Sequence, residues 1–214
     1  MRSVLLTGFE PFGGAAENPS RRAVLALAAD PPPGIRLATL ILPVTYRGAG
    51  PALQSALRGH RPDVVIATGL AGGRAEISVE RVAINVDDAR IADNAGERRI
   101  DTPVVADGPA GYFSTLPIKA VAAAIRAAGV PAQISQTAGT FLCNHVFYVA
   151  CHHAATQAPW LRAGFLHLPW LHEQATEHPG EPSMALASIV AGLRAAIMAC
   201  DATDDLRVAE GAVS

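Results

Sequence analysis

The chain has 214 residues, half of them hydrophobic, with 17 Lys plus Arg against 19 Asp plus Glu and a formal net charge of −2. A chain of this size buries a full core as one domain, 1–214, without help from disulfides or metal. Its near-balanced charge, with no basic run and no acidic tail, argues against nucleic acid or an anionic membrane surface as the main partner.

Short apolar runs alternate with amphipathic stretches along nearly the whole length. Strands are expected at 3–7 (SVLLT), 37–42 (LATLIL), 63–68 (DVVIAT), 132–135 (AQIS) and 164–168 (GFLHL). Helices are expected at 20–29, 50–59, 117–129 and 145–156, some with Pro or Asn at the entry and Gly at the exit. A last helix starts near Pro182 and Ser183 and ends by Cys200, and the polar tail 201–214 is expected to fray. Strand and helix in alternation imply a mostly parallel mixed sheet covered on both faces, a three-layer α/β/α sandwich. One stretch breaks the pattern: 76–107 alternates and then turns polar, as a hairpin-like excursion from the sheet would.

Neither end of the chain suggests a membrane. The start, MRSVLLTGFE, has too short an apolar run for a signal peptide, and the apolar stretch Met184–Cys200 is broken by Arg194 and Ser188. The three cysteines, Cys143, Cys151 and Cys200, form no C-x-x-C pair, which fits a reducing compartment; a cytoplasmic protein is expected.

Ligands of open α/β sheets collect at the carboxyl ends of strands. Three unusual segments fall at such places: TGFEPFGG (7–14), GLAGGR (69–74) and AGTFLCNH (138–145). The first lacks both the G-x-G-x-x-G pattern and a G-K-[ST] ending, so its Phe9 and Phe12 read as an apolar pocket wall or as plain core. Cys143 stands where a helix opens, near the positive end of its dipole, which favours the reactive thiolate; the alternative is a small buried hydrophobe. A thiolate needs a base and an orienting acid. His167, at a strand end, is the best-placed histidine. Glu80 lies among β-branched residues, where, taken alone, the solvent side of an alternating strand is the safer expectation. His145 and His152 share a helix face, but no acid sits at ligand spacing and no H-E-x-x-H occurs, so a metal site is disfavoured.

These blocks occur together in one known family. LLTGFEPFGG…NPS (5–20), LPVTY (42–46), GLAGGRAEISVERVAINVDDARIADN (69–94), DGPAGYFSTLPIKA (107–120), SQTAGTFLCNH (135–145) and GFLHLPWLHEQ (164–174) resemble pyroglutamyl peptidase type I. The resemblance implies a phosphorylase/hydrolase-like fold and a cysteine exopeptidase that removes N-terminal 5-oxoproline from peptides without metal or cofactor. It implies Cys143 as nucleophile, His167 as base and acid, and Glu80 as the orienting acid, with Arg90 supporting the oxyanion. It places Phe9, Phe12 and Phe141 as pocket walls, Asn18 and the backbone near Leu70 at the lactam's polar edge, and Thr45 in the lining. It also implies a homotetramer. This chain departs from the family's usual residues at Leu70 (Gln), Ala92 (Pro) and 170–172, where WLH replaces a Tyr-Leu-Pro run. Rival readings are an enzyme like a purine nucleoside phosphorylase, which the lack of a basic cluster disfavours, and a peptide binder that has lost turnover.

Overall fold

The computed structural model describes residues 1–202 and 204–211. In chain order its first half comprises β1 (Arg2–Phe9), α1 (Pro19–Ala29), β2 (Ile35–Leu42), α2 (Tyr46–His60), β3 (Val64–Leu70), β4 (Ile77–Glu80), β5 (Val82–Ile84) and β6 (Gly111–Phe113). There follow α3 (Ile118–Ala127), β7 (Ala132–Ser135), α4 (Leu142–Thr156), β8 (Arg162–Leu168), β9 (Trp170–Leu171), α5 (His172–Ala175), β10 (Ser183–Met184) and α6 (Leu186–Ala199).

Six strands form the central sheet in the order β2-β1-β3-β8-β4-β7. β2, β1, β3 and β8 run parallel, β4 is antiparallel to β8, and β7 is parallel to β4. The apolar runs are continuous because both faces are covered, as in other sheets of this architecture. Alternate residues of each strand enter different cores: Val4, Leu6, Val64, Ile66 and Leu166 pack with α1, α3 and α6. Leu5, Val65, Ala67, Ala163 and Phe165 pack with α2 and α4 on the other face. This is the expected three-layer α/β/α sandwich.

Two expectations are corrected. The excursion begins after Glu80, not at Glu76: ISVE (77–80) is buried at every position and belongs to the central sheet. Its acid misleads a pattern-based reading, because Glu80 points into a site rather than to solvent. Beyond it, β5 pairs with β6 and an isolated Asp87–Thr102 bridge holds the loop together. Second, α2 starts a turn earlier than Pro51 suggests, since the Asp93 carboxylate, remote in sequence, accepts from Tyr46 N at 2.9 Å. Of the tail 201–214, residues 203 and 212–214 lie outside the described residues, and the described ones make contacts along α3. Asp205 accepts from Lys119 N (3.0 Å) and Ala120 N (2.9 Å) at the uncapped start of α3, Lys119 Nζ donates to Val208 O, and Arg126 pairs with Glu210. A carboxylate there meets free amides and the positive helix end.

Candidate active site

The two-residue period of the strands decides which side chains meet. In β8, residues 163, 165 and 167 face α4; in β3, residues 65, 67 and 69 do. Gly69 and His167 are register partners on neighbouring strands. Cys143, the second residue of α4, comes down onto this pair: a Cβ on Gly69 would lie 2.7 Å from Cys143 Sγ. The missing side chain is what makes room for the sulfur.

His167 is buried, with Nδ1 2.7 Å from Glu80 Oε1. Glu80 is completely buried, and Arg74 Nη1 donates to the same oxygen at 2.7 Å. Arg74 is itself fixed by Thr137 O at 3.2 Å. With Oε1 accepting from Arg74, Nδ1 of His167 carries the proton toward Glu80 and Nε2 is left as the lone-pair nitrogen. Glu80 Oε2 has no hydrogen-bond partner among the described residues.

α4 opens without a side-chain cap. Its first internal bond runs from His145 N to Phe141 O at 3.1 Å, so the amides before it remain for a ligand oxygen. Asn144 locks this helix start to the excursion: Oδ1 accepts from Ile84 N (2.9 Å), and Nδ2 donates to Ile84 O (2.9 Å) and Val86 O (3.0 Å).

Burial, and then the Glu80 carboxylate, push the Cys143 thiol up to about 12 against the opposing charge of Arg74. Burial holds His167 below the usual imidazole range, although Glu80 pulls it upward. Burial and the Glu80 carboxylate thus oppose the helix dipole's preference for the thiolate, and burial likewise favours the neutral form of His167. Cys143 is no buried hydrophobe, since it lines a cavity of about 470 Å³.

Phe9, Phe12, Asn18, Leu70 and Phe141 line the same cavity, with Val44 and Trp170. Phe12 and Phe141 pack at 5.2 Å between ring centroids, and Tyr46 backs Phe141 edge-on at 5.7 Å. Asn18 caps α1: its Oδ1 accepts from Ser20 N (3.0 Å) and Ser20 Oγ (2.8 Å), and Nδ2 donates to Glu10 O (3.0 Å). One Nδ2 hydrogen remains for a ligand.

The family model for pyroglutamyl peptidase matches residues 2–203. The chain belongs to this family. It is 57% identical over 197 residues to pyrrolidone-carboxylate peptidase 1 of Ralstonia nicotianae, covering 92% of each chain. To the pyrrolidone-carboxylate peptidase of Streptomyces coelicolor it is 52% identical, covering 99% of each. The crystal structure of pyroglutamyl peptidase I from Bacillus amyloliquefaciens superposes with a TM-score of 0.92 at 40% identity, covering 96% of this chain and 100% of that one. A variant of the Pyrococcus furiosus pyrrolidone carboxyl peptidase gives 0.89 at 40% identity, covering 92% and 97%.

Two further residues of the resemblance have these places. Arg90 is exposed, and the guanidinium that pairs with the acid is that of Arg74. Thr45 is the N-cap of α2, where its carbonyl accepts from Ala49 N at 2.9 Å, and its neighbour Val44 lines the cavity instead. His145 and His152 do not converge: the first binds Asp87 at 2.9 Å and the second Tyr112 at 2.9 Å. Among the described residues no three His, Cys, Asp or Glu side chains are grouped to hold a metal, and no helix is long and apolar enough to cross a membrane. Sequence reading misses Arg74, although GLAGGR falls at a ligand-side turn, and Gly69, whose role needs the strand register to be seen.

Proposed function

We propose that the protein hydrolyses the amide bond after an N-terminal 5-oxoproline. The observation that carries this is the Cys143 sulfur seated over Gly69, the register partner of His167, whose Nδ1 is bound by buried Glu80. Cys143 attacks the oxoprolyl carbonyl carbon while its thiol proton passes to His167 Nε2. The carbonyl oxygen becomes an oxyanion that accepts from the leading amides of α4. Collapse breaks the C–N bond, and His167 returns the proton to the leaving amine. Water then attacks the thioester, giving its proton to His167, and the thiol is restored. Glu80 orients the ring and stabilises the imidazolium formed in each half-reaction.

Specificity follows from the inner walls. A lactam has no free amine, so the aromatic and aliphatic lining of Phe9, Phe12, Val44 and Phe141 suits it, with the free Nδ2 hydrogen of Asn18 and the backbone near Leu70 as polar contacts. Leu70 is thereby compatible with a backbone contact at the position where the family resemblance implies Gln. The three cysteines unpaired by any disulfide accord with a cytoplasmic setting. Exposed Ile91, Ile100 and Phe113, on the excursion and on β6, supply apolar surface for a homotetramer, which size-exclusion chromatography with light scattering checks.

The deciding assay compares release of a fluorescent amine from an oxoprolyl amide and from a prolyl amide under reducing conditions. Turnover of the oxoprolyl compound alone, absent in Cys143→Ala, is expected; equal cleavage of both, or full activity in the variant, overturns the assignment.

A further inference from the structure

The cavity changes character from bottom to mouth. Phe9, Phe12, Val44, Leu70 and Phe141 give it aromatic and aliphatic walls, whereas half-buried Glu17, after β1, and exposed Glu177 and half-buried His178, on the strap 176–182 that follows α5, are polar. No Lys or Arg lines it. The nearby arginines are engaged: Arg21 pairs with Glu17 at 3.3 Å, Arg22 with Glu173 at 3.2 Å, and Arg74 with Glu80. Glu177 differs from these acids. It is exposed, its amide donates to Gln174 O at 2.9 Å, and its carboxylate has no ion pair among the described residues.

The strap is held in place at the cavity. Trp170 stacks on His178 with ring centroids 4.0 Å apart and planes 13° apart, and its indole N–H donates to Glu181. A Cβ on Gly72 would lie 2.6 Å from Trp170 Nε1, so the indole also sits tightly against the turn after β3. Trp170 therefore couples the strap to the strand ends that carry the catalytic groups, and Glu177 is presented at the exit.

With the oxoproline ring against the apolar walls and its carbonyl at Cys143, the rest of the peptide leaves through this mouth. We propose that the mouth selects peptides whose residue after oxoproline carries a positive charge, with Glu177 setting the preference. A lysine or arginine side chain gains a carboxylate that nothing else neutralises, whereas an aspartate or glutamate meets like charge. The groups are solvated, so the discrimination is modest and screened by salt. The inference rests on the proposed activity and concerns only the leaving residue.

The test measures kcat/KM for three oxoprolyl dipeptide amides with Lys, Ala or Glu in second place, at low and high salt. At low salt Lys is expected to exceed Glu by about 3- to 10-fold, with Ala between, and 0.5 M salt should compress the ratio toward one. Glu177→Gln should at least halve the ratio, and Glu177→Lys should invert it. Equal values for Lys and Glu at low salt, or a ratio that Glu177→Gln and Glu177→Lys both leave untouched, overturn the proposal. Failure to cleave even the Ala compound would instead overturn the activity on which it rests.

Discussion

Gly69 has no side chain, and that space is where the Cys143 sulfur lies. An added methyl would sit 2.7 Å from Sγ and 3.0 Å from Phe165 Cζ, so either the helix start or the ring must move. Overpacking of this kind costs about 1–3 kcal/mol, while a nucleophile displaced by about 1 Å loses about 10²-fold in rate. Gly69→Ala should therefore fold, with a lowered melting temperature, and lose about 10²-fold in kcat. Wild-type turnover in a folded Gly69→Ala would remove the sulfur from its assigned place. Glu80→Gln tests the orienting acid. It keeps a group of the same shape near His167 but removes the charge that stabilises the imidazolium, so kcat should fall by between about 10² and 10⁴. The pH profile adds an independent sign. His167 must be neutral to take the thiol proton, and burial lowers its pKa, so the acid limb of kcat/KM lies below about 6.5, the usual imidazole value. Glu80 opposes that lowering, so Glu80→Gln should move the limb lower still. A limb that moves upward, measured by stopped assays across the acid range, contradicts the arrangement.

Elements hold the site through groups distant in sequence. Asp93 accepts from Tyr46 N (2.9 Å), Ala95 N (2.9 Å) and Glu97 N (2.8 Å), so one carboxylate caps α2 and closes a turn of the excursion. Asp93→Ala leaves these amides without their acceptor and should cost about 1–2 kcal/mol, the upper range for a helix cap. In a chain of this size that lowers the melting temperature by roughly 2–8 °C, which differential scanning calorimetry would resolve. An unchanged transition would assign the cap to solvent. The same residue shows where sequence reading reaches its end. Long buried runs such as VVIAT and paired signals of helix entry and exit were legible because they are local. Asp93 capping a helix that starts 47 residues earlier was not, and neither was β4, whose four residues look like one side of a hairpin until β7 and β8 flank them. Cys143 and His167 were legible as candidates because they sit at a helix start and a strand end, whereas the parts assigned to Glu80 and Phe141 came only from the family resemblance. Arg74 and Gly69 act through register and through another side chain, which no one-dimensional spacing expresses.

For the whole molecule, the buried histidines couple catalysis to acid stability. His167 and His153 both have lowered folded pKa values, chiefly through burial, with Arg58 and His152 adding to the effect at His153 and Arg74 at His167. The unfolded chain titrates near the ordinary value of about 6.5, so below it the unfolded state binds more protons than the folded state. Stability contributed by keeping these rings neutral is complete above about pH 6.5 and declines as pH falls toward the folded pKa values, by up to about 1.4 kcal/mol per pH unit for each ring. At Asp93 burial acts to raise the pKa, but its three backbone donors and Arg99 together hold it below the usual carboxylate range, so it contributes in the opposite part of the scale, and its share is lost only as pH falls below about 3.9. A melting temperature that drops between about pH 7 and pH 5 is therefore a histidine effect. His153→Gln, which removes one titrating ring far along α4 from Cys143, should flatten that decline while the acid limb of kcat/KM, set by His167, stays where it was. Thermal denaturation of both proteins across that range separates the two histidines. If the slope of the variant equals that of the wild type, the acid sensitivity belongs to groups other than His153.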